Sequence, residues 1–309
     1  MVSLILFAAV VAGLADIGIQ VDDATKQYTF VDNGTPLLTY NFGTVPVPDG
    51  VGGKYAVARS NYIHPLYGTN GEVLTADYSK DHPHHRGIYW AWPEVTYKGQ
   101  KRDLHALQGV FARPGRIVSS GGGILVAENT WKWSDSEPIV KETASIRIVN
   151  AGSIGRYVDL TLSFEALEDG VSLARRGTDR YGGLNIRLAL IKGMALAHHA
   201  DPAGGSPRMA WQMASGSWGD GGAPLALVVF EHGSNPNYPG DYVEYPKLPW
   251  FQPTFPRAGS RYILQKAQPL TLSYRLWVCP GKSPSEQALR DAWTAYQENC
   301  VGVRSSTER

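Results

Sequence analysis

The segment with the most chemistry-bearing side chains is KDHPHHRGIYWAWPE, which runs from Lys80 to Glu94. Three of the chain's eight histidines fall here within four residues, preceded by Asp81 and followed by Arg86. Imidazoles bind divalent metal ions and also transfer protons near neutral pH. The residue types therefore indicate a metal site or an acid–base centre. A hydrogen-bonded structural corner is the alternative without a reaction.

The spacing of this segment predicts which side chains can meet. In an extended chain His82, His84 and Arg86 point to one face, and His85 points to the other. Pro83 disfavours a central strand, so we expect a loop that becomes a strand near Arg86. His82 and His84 are the predicted catalytic imidazoles and metal ligands, with a third ligand required from elsewhere. Arg86 is expected to stabilise a negative charge.

A second polar segment, FEHGSNPNYPGDY, follows an apolar run late in the chain. Glu231 and His232 stand at the end of that run, a common position for catalytic groups, and we predict that they form an acid pair across the cleft. Capping of the strand is the alternative. The predicted substrate-binding side chains are His64, His85, Trp90, Trp92, His105, Asn235 and Tyr238. The two tryptophans would form a stacking wall for a sugar ring or else belong to the core, and His198 and His199 are the weaker histidine candidates.

The bulk composition limits the partners. With 309 residues and 43% hydrophobic side chains, the chain can bury a large core. Its net charge of +1 provides no long-range attraction for nucleic acid or for an anionic membrane. The 34 glycines, 20 prolines, 16 tyrosines and 9 tryptophans favour an all-β protein that handles a polar, ring-shaped ligand.

The N-terminal sequence MVSLILFAAVVAGLAD contains an apolar run that is short for a membrane span and ends in a small-x-small pattern. We interpret residues 1–15 as a signal peptide, which predicts a secreted or periplasmic protein with no membrane insertion after its removal. A buried first strand or an uncleaved anchor is the alternative. Residues 16–309 are expected to form one domain. Export would permit a disulfide between Cys279 and Cys300, and the sequence implies no particular oligomeric state.

Alternation of apolar and polar residues with period two dominates the rest of the chain. It is clear in VDLTLSFEAL (158–167), LNIRLAL (184–190) and LTLSYRLWV (270–278), and Asp32-Asn33-Gly34 signals a hairpin. One helix is predicted near the C-terminus, with Ser283 as N-cap and an apolar stripe at Leu289, Ala292, Trp293 and Tyr296. The prediction is an all-β fold, a large antiparallel β-sandwich of jelly-roll or supersandwich type, with this helix packed outside.

Four segments resemble, in the same order, the PmoA-like family of uncharacterised bacterial proteins (DUF6807): NYIHPLYGTNGE, DHPHHRGIYWAW, YGGLNIRLA and LVVFEHGSNPNYP. The resemblance runs from about Lys54 to Val278. It implies a secreted β-sandwich protein of polysaccharide-degrading bacteria, often encoded near sugar oxidoreductases. It implies no established reaction, and a membrane monooxygenase subunit would need transmembrane helices that this sequence lacks. The segment PEVTYKGQKRDLH departs from a shorter run in relatives, which predicts a different substrate preference.

Together these features lead to a functional hypothesis: a secreted carbohydrate-active enzyme, a hydrolase or lyase, that cleaves a sugar C–O bond. An oxidised sugar such as a keto-glycoside or uronate suits the chemistry, with a divalent metal ion as the candidate cofactor. Two alternatives remain open from the sequence. One is a non-catalytic carbohydrate-binding protein, and the other is a sugar epimerase or mutarotase.

Overall fold

The computed structural model describes residues 17–200, 209–219, 222–245 and 247–299. The predicted signal peptide and Cys300 lie outside these residues. Within them the chain forms twenty strands, two short 3-10 turns (Gly152–Ile154 and Arg176–Thr178) and one α-helix. No helix of the described part is long and apolar enough to cross a membrane.

The first half of the chain contains ten strands, which include three long neighbouring ones. They are β1 (Ile17–Asp22), β2 (Gln27–Asp32), β3 (Thr35–Asn41), β4 (Tyr62–Leu66), β5 (Ile88–Ala91), β6 (Glu94–Tyr97), β7 (Gln100–Arg102), β8 (Val110–Gly121), β9 (Ile124–Trp133) and β10 (Glu137–Asn150). The second half contains the other ten and the helix. They are β11 (Arg156–Ala166), β12 (Ser172–Ala174), β13 (Gly183–Arg187), β14 (Ile191–Ala200), β15 (Ala210–Trp218), β16 (Pro224–Glu231), β17 (Tyr242–Tyr245), β18 (Trp250–Pro253), β19 (Tyr262–Ile263), β20 (Leu270–Pro280) and α1 (Glu286–Asn299).

Two eight-stranded sheets dominate the fold. The first has the order β1-β2-β3-β4-β5-β13-β18-β17, and the second has the order β14-β15-β16-β20-β11-β10-β9-β8. A third sheet of four short strands, β19-β12-β6-β7, completes the set, and the paired strands are antiparallel. The predicted all-β fold with large antiparallel sheets is therefore confirmed.

One large apolar core draws side chains from both eight-stranded sheets. The first sheet contributes residues such as Phe30 and Ile186, and the second contributes the buried positions of β11. Val158, Leu160, Leu162 and Phe164 alternate with less buried neighbours, as the period-two pattern predicts. Burial of this common face against the other sheet forms the sandwich.

The hairpin between β2 and β3 turns where the sequence predicts it. Asn33 and Gly34 both have positive φ, +47° and +81°, which a two-residue turn of this type requires. Asparagine and glycine tolerate that backbone region better than other residues do. The turn therefore fixes the register of β2 and β3.

The helix α1 packs on the outer face of the second sheet, as predicted. Leu289, Ala292, Trp293 and Tyr296 are buried against side chains of β16 and β20. The N-terminal boundary differs from the prediction, because α1 begins at Glu286 and the hydroxyl of Ser285 accepts the backbone N–H of Ala288 at 3.2 Å. Ser285 is thus the N-cap in place of Ser283, so Pro284 lies before the helix. Cys279 is buried beneath α1.

Candidate functional site

The histidine segment is a tight loop between β4 and β5. The backbone N–H of His82 donates to the carbonyl of Ser79 at 3.1 Å, and that of His85 donates to the carbonyl of His82 at 2.9 Å. Gly87 then has φ +56°, and a Cβ there would lie 2.2 Å from the carbonyl oxygen of Ile63 on β4. Only glycine permits this approach. The strand β5 begins at Ile88, so the predicted change from loop to strand is confirmed.

The turn brings three imidazoles of the loop together and adds a fourth from the segment after β7. We call His82, His84, His85 and His105 the imidazole cluster. The rings of His82 and His85 stack with centroids 4.7 Å apart, and those of His84 and His85 lie edge to face at 4.6 Å. His105 lies 5.3 Å from His84 and 5.4 Å from His85. The alternation expected for an extended chain was wrong for His85, because the loop turns its ring toward the other three.

Three members of this cluster could hold a metal ion. One ligand nitrogen each from His84, His85 and His105 lies within 4.8 Å of the other two. An ion about 2.0–2.1 Å from each nitrogen, in tetrahedral geometry, needs separations of roughly 3.4 Å. The three rings would have to move inward to bring the nitrogens from within 4.8 Å to that separation. The metal pair predicted from the sequence was His82 and His84, so the geometry retains His84 and replaces His82 with His85 and His105.

His105 is held by a network of buried polar side chains. Its Nε2 lies 3.1 Å from Oδ1 of Asn185 and 2.9 Å from the hydroxyl of Tyr89. The amide of Asn185 is oriented in turn, since its Nδ2 donates to the carbonyl of Gly183 and its Oδ1 accepts from Gln252 at 2.8 Å. An amide oxygen can only accept, so Nε2 carries the proton and Nδ1 keeps its lone pair. Such outer hydrogen bonds orient metal-binding histidines in proteins.

Burial keeps these imidazoles neutral, which is the form that binds a metal. Desolvation is the main cause that lowers the pKa of His84 to about 3, and the charge of Arg59 lowers it further. Desolvation also lowers the pKa of His85 and of His105 far below the ordinary value, with neighbouring imidazoles contributing. Within the described residues, the buried Nδ1 atoms of His84 and His85 have no hydrogen-bond partner. Buried polar atoms without a partner are rare, and a ligand would satisfy them.

His82 differs from the other three because a carboxylate stands beside it. Its Nδ1 lies 3.1 Å from Oδ2 of Asp81, an ion-pair distance without the alignment of a hydrogen bond. Asp81 is held by Arg187, whose Nη2 contacts both carboxylate oxygens at 2.9 and 3.1 Å. The carboxylate favours a proton on Nδ1 and leaves Nε2 as the basic nitrogen. His82 is 37% exposed and can therefore meet a substrate.

The imidazole cluster lines a cavity of about 270 Å³. Aromatic side chains form much of the remaining wall, and none of the described lining residues is an aspartate or a glutamate. The lining comprises Tyr55, His82, His84, His85, His105, Ala106, Arg176, Tyr181, Tyr245, Leu248 and Trp250. Tyr245 and Trp250 stack at 4.8 Å, and Trp250 also packs on His85 at 4.6 Å. A partly apolar wall with a few polar groups is typical of a small-molecule site.

Arg176 is the cation of this wall, and the loop that carries it is well anchored. Nη2 of Arg176 donates to Oδ2 of Asp103 at 2.5 Å, and the other oxygen of Asp103 accepts the backbone N–H of Ala106 at 2.8 Å. Asp103 thereby connects the loop of Arg176 with the loop of His105. The buried carboxylate of Glu94 accepts the backbone N–H of Gly177 at 2.9 Å. These contacts position the guanidinium at the edge of the cavity.

Arg86, the arginine expected at the site, has a different place. Its side chain is fully buried, pairs with Asp77 and donates to the hydroxyl of Tyr62. Its guanidinium also lies 3.5 Å from the ring centroid of Tyr78. The prediction that Arg86 faces a substrate was wrong, because its side chain is buried in an ion pair with Asp77. Arg176 lines the cavity instead.

Trp90 and Trp92 belong to the core. Trp92 is inaccessible, donates its Nε1–H to the carbonyl of Phe255 at 2.7 Å and packs edge to face on Phe164. Trp90 is 4% exposed within the same core. Neither ring face is open, so the predicted stacking wall is not formed by these two residues. The structure offers Tyr245 and Trp250 for that purpose.

Glu231 and His232 do not line the cavity of the imidazole cluster. The carboxylate of Glu231 accepts the backbone N–H of Gly240 at 2.8 Å, and desolvation raises its pKa to about 7. Nδ1 of His232 lies 2.7 Å from the hydroxyl of Ser234, and its ring packs on Tyr296 of α1. The expected position opposite the first histidines was therefore wrong. We call Glu231, His232 and Asn235 the Glu231 corner.

The remaining candidate residues of the sequence lie outside the lining of this cavity. Asn235 is buried and bonds both backbone groups of Ser273 on β20, and Tyr238 packs beside the apolar cluster under α1. His64 contacts Thr75 at 2.9 Å and lines a separate groove with Glu72 and Asp77. Nδ1 of His198 lies 3.0 Å from a carboxylate oxygen of Glu244, and His199 stacks on Trp211. Of the predicted substrate-binding residues, the cavity collects His85 and His105.

Sequence reasoning missed Arg176, Trp250 and the tyrosines of the wall. Tyr181 and Asn185 stand in YGGLNIRLA, one of the segments that carry the family resemblance, which is the signal that could have identified them. Arg176 and Trp250 lie in stretches without a local chemical pattern. The sheet topology brings Trp250 near His85, since β18 pairs with β13 and β13 pairs with β5. Arg176 follows β12, which pairs with β6 in the third sheet.

The fold and the site define an all-β sandwich protein with a candidate three-histidine metal centre. Its sequence matches a family of unknown function, DUF6807, over residues 27–294, and the chain belongs to that family. No curated protein matches the sequence. A solved structure described as "Putative kojibiose phosphorylase from human microbiome" is similar with a TM-score of 0.36 and 11% identity. The similarity covers 71% of this chain and 26% of that one, so this chain spans about a quarter of that protein.

Proposed function

We propose that the protein is a metal-dependent carbohydrate-active enzyme that cleaves a sugar C–O bond by β-elimination. The observation that carries this proposal is the convergence of three neutral imidazoles, His84, His85 and His105, at a cavity that His82, the neighbour of Asp81, also lines. The apolar run at residues 1–15 supports action outside the cytoplasm after its removal as a signal peptide.

The composition of the cavity wall favours elimination over ordinary glycoside hydrolysis. Most glycoside hydrolases place two carboxyl groups on either side of the scissile bond. Among the described residues, none that lines this cavity is acidic. The nearby carboxylates are engaged with arginines, Asp81 with Arg187 and Asp103 with Arg176. His82 offers a base, and a metal ion held by the other three histidines would supply the electrophilic centre that elimination next to a carbonyl carbon also requires.

His82 and Asp81 carry out the proton transfer of the proposed reaction. His82 takes a proton from the carbon next to the substrate's carbonyl group, and Asp81 stabilises the imidazolium that forms. The electron pair of that C–H bond becomes a C=C double bond, the C–O bond on the neighbouring carbon breaks, and the departing oxygen gains a proton. No oxidant or reductant is consumed. A bound divalent ion would act as a Lewis acid that stabilises the enolate oxygen.

The aromatic wall supplies the contact with the sugar ring. The rings of Tyr245 and Trp250 are stacked within 4.8 Å, and Tyr55 lies 5.1 Å from His84 on the lining of the same cavity. Flat rings pack on the apolar C–H faces of sugars and also exclude water. The wall therefore supports a carbohydrate as the substrate class.

The test uses sugars that differ in oxidation. Metal-loaded protein is incubated with a keto-glycoside, a uronate disaccharide and their unoxidised parents, and products are followed by proton NMR. We expect a new olefinic proton with the oxidised sugars only. His82→Gln should lower kcat by about a hundredfold or more while metal stays bound, whereas His198→Gln serves as the matched control. Saturated hydrolysis products, or full turnover by His82→Gln, would contradict the proposal.

The same experiment separates the alternative functions. Binding of sugars without any product, unchanged by His82→Gln, would favour a carbohydrate-binding protein. Exchange of anomers without a new product would favour a mutarotase. Glu231, which the sequence offered with His232 as an acid pair across the cleft, lies outside the cavity lining.

A further inference from the structure

The charges around the imidazole cluster do not cancel. Arg59, Arg176 and Arg187 stand near it, and the carboxylates that neighbour them are Asp81 and Asp103. Among the residues that the structure describes, these three cations and two anions leave one positive charge before any metal is counted. Arg59 is buried and donates to the carbonyls of Leu104 and His105, so its charge cannot move away from His105. An excess of buried positive charge favours an anionic ligand.

Arg176 has the geometry to bind that anion. Asp103 contacts its Nη2 at 2.5 Å, and the hydroxyl of Tyr181 lies 3.2 Å from its Nε. Among the described residues nothing bonds Nη1, the third nitrogen. The guanidinium is 41% exposed, and it is part of the cavity wall together with Tyr181. Held on one edge by Asp103, it can present its other edge to a ligand.

We propose that the substrate carries a carboxylate that Nη1 of Arg176 binds, so that the enzyme acts on uronate-containing saccharides. This inference rests on the proposed function and narrows its substrate class. Arginine binds carboxylates through charge-assisted hydrogen bonds of fixed geometry. Neutralisation of the carboxylate also makes the proton on the adjacent carbon easier to remove, which is the step that elimination requires.

The reaction on a uronate is balanced as follows. Nε2 of His82 takes the proton of C5, the electron pair forms the C4=C5 double bond, and the bond between C4 and its oxygen breaks. The departing oxygen takes a proton from water and becomes the hydroxyl of the released sugar, and the imidazolium of His82 returns the C5 proton to the solvent. The other product is a 4,5-unsaturated uronate, and neither product is oxidised or reduced overall.

The test measures binding, so that it does not depend on turnover. Methyl glucuronide and methyl galacturonide are titrated into the protein by calorimetry, alongside methyl glucoside and methyl galactoside as neutral counterparts. We expect at least about tenfold tighter binding of one uronide than of its neutral partner. Arg176→Gln should abolish this preference, and Arg176→Lys should retain part of it because lysine keeps the charge without the fork. Arg116→Gln, on an exposed arginine of β8, is the control.

Each outcome decides between the two proposals. Equal affinity for uronide and neutral sugar, or a preference that Arg176→Gln leaves intact, overturns the inference. If the preference is present and depends on Arg176 but uronate disaccharides are not cleaved, the inference stands and the proposed reaction falls. If neutral keto-glycosides are cleaved and the carboxylate adds no affinity, the reaction stands and the inference falls. Retention of the wild-type melting temperature by Arg176→Gln and by Arg176→Lys excludes misfolding as the cause of a lost preference.

Discussion

The imidazole cluster and the Glu231 corner both place titratable side chains at the ends of apolar strands, yet their surroundings differ. At the Glu231 corner each of the three side chains has a partner in the protein, since Gly240 bonds Glu231, Ser234 contacts His232 and Ser273 bonds Asn235. In the imidazole cluster the Nδ1 atoms of His84 and His85 have no partner among the described residues. The imidazole cluster also lines a cavity that a ligand can enter, and the Glu231 corner does not line it.

Two features of geometry distinguish the candidate site from the structural corner. Both regions contain buried groups with shifted pKa values, His84 lowered to about 3 and Glu231 raised to about 7. Burial shifts both, so the shift by itself does not indicate function. The cavity and the converging lone pairs do so, and they are found at the imidazole cluster.

The largest expected effect is on metal affinity. Structural zinc sites bind with about 10–16 kcal/mol, which implies about 3–4 kcal/mol for each ligand. We therefore expect His105→Ala to weaken the binding of Zn²⁺ or Mn²⁺ at least about a hundredfold, measured by competition with a chromophoric chelator. His232→Ala should leave the affinity unchanged. Equal losses in both variants would remove the distinction between the two regions.

The next effect concerns stability and pH at the Glu231 corner. Burial raises the pKa of Glu231 in the folded protein to about 7 from its ordinary value of 4.5, so its protonated form favours folding. Its contribution is fully present below about pH 4.5 and is lost as the pH rises through 7, an effect of about 3 kcal/mol. Glu231→Gln should flatten this decline in the free energy of unfolding, measured by urea denaturation between pH 5 and 8. An unchanged slope would show that Glu231 titrates normally.

A smaller effect is expected from the hydrogen bonds behind His105. Asn185→Ala removes the acceptor of Nε2 and should weaken metal binding about tenfold to a hundredfold. Asn235→Ala is the matched variant, because it removes another buried asparagine, this time at the Glu231 corner. It should lower stability and spare metal affinity. Metal affinity that responds to Asn235 and not to Asn185 would contradict the assignment.

The smallest effect is on the helix that covers the Glu231 corner. Ser285→Ala removes the N-cap bond to Ala288 and should destabilise the protein by about 1 kcal/mol in thermal unfolding. Ser283→Ala is the control and should cost little, since α1 begins after it. Metal affinity should be the same in both variants. A larger loss from Ser283→Ala would restore Ser283 as the cap.

Local patterns predicted most of the fold. The alternation in β11 and β20, the Asn33-Gly34 turn and the apolar stripe of α1 each depend on neighbours close in sequence, and each is present. The helix boundary was misplaced by two residues because Ser283 and Ser285 both offer a capping hydroxyl. Short-range chemistry alone does not choose between them.

The site was less predictable because its geometry is tertiary. The cluster at His82–His85 is visible in the sequence, but the turn that reorients His85 is not. Arg86 forms an ion pair with Asp77 instead of facing the cavity, and no sequence rule identifies that ion pair in advance. Arg176 and Trp250 come from segments that are distant in sequence, and the fold brings both to the cavity. Long-range contacts of this kind follow from the whole fold.

The most direct test of the central claim is the metal content of protein purified without chelators or a nickel affinity step. Elemental analysis should find about one divalent ion per chain in the wild type and in His198→Ala, and a near-complete loss in His84→Ala and His105→Ala. Folded wild-type protein that neither retains nor takes up a divalent ion would contradict the account. Stoichiometric metal that survives both substitutions would do so equally.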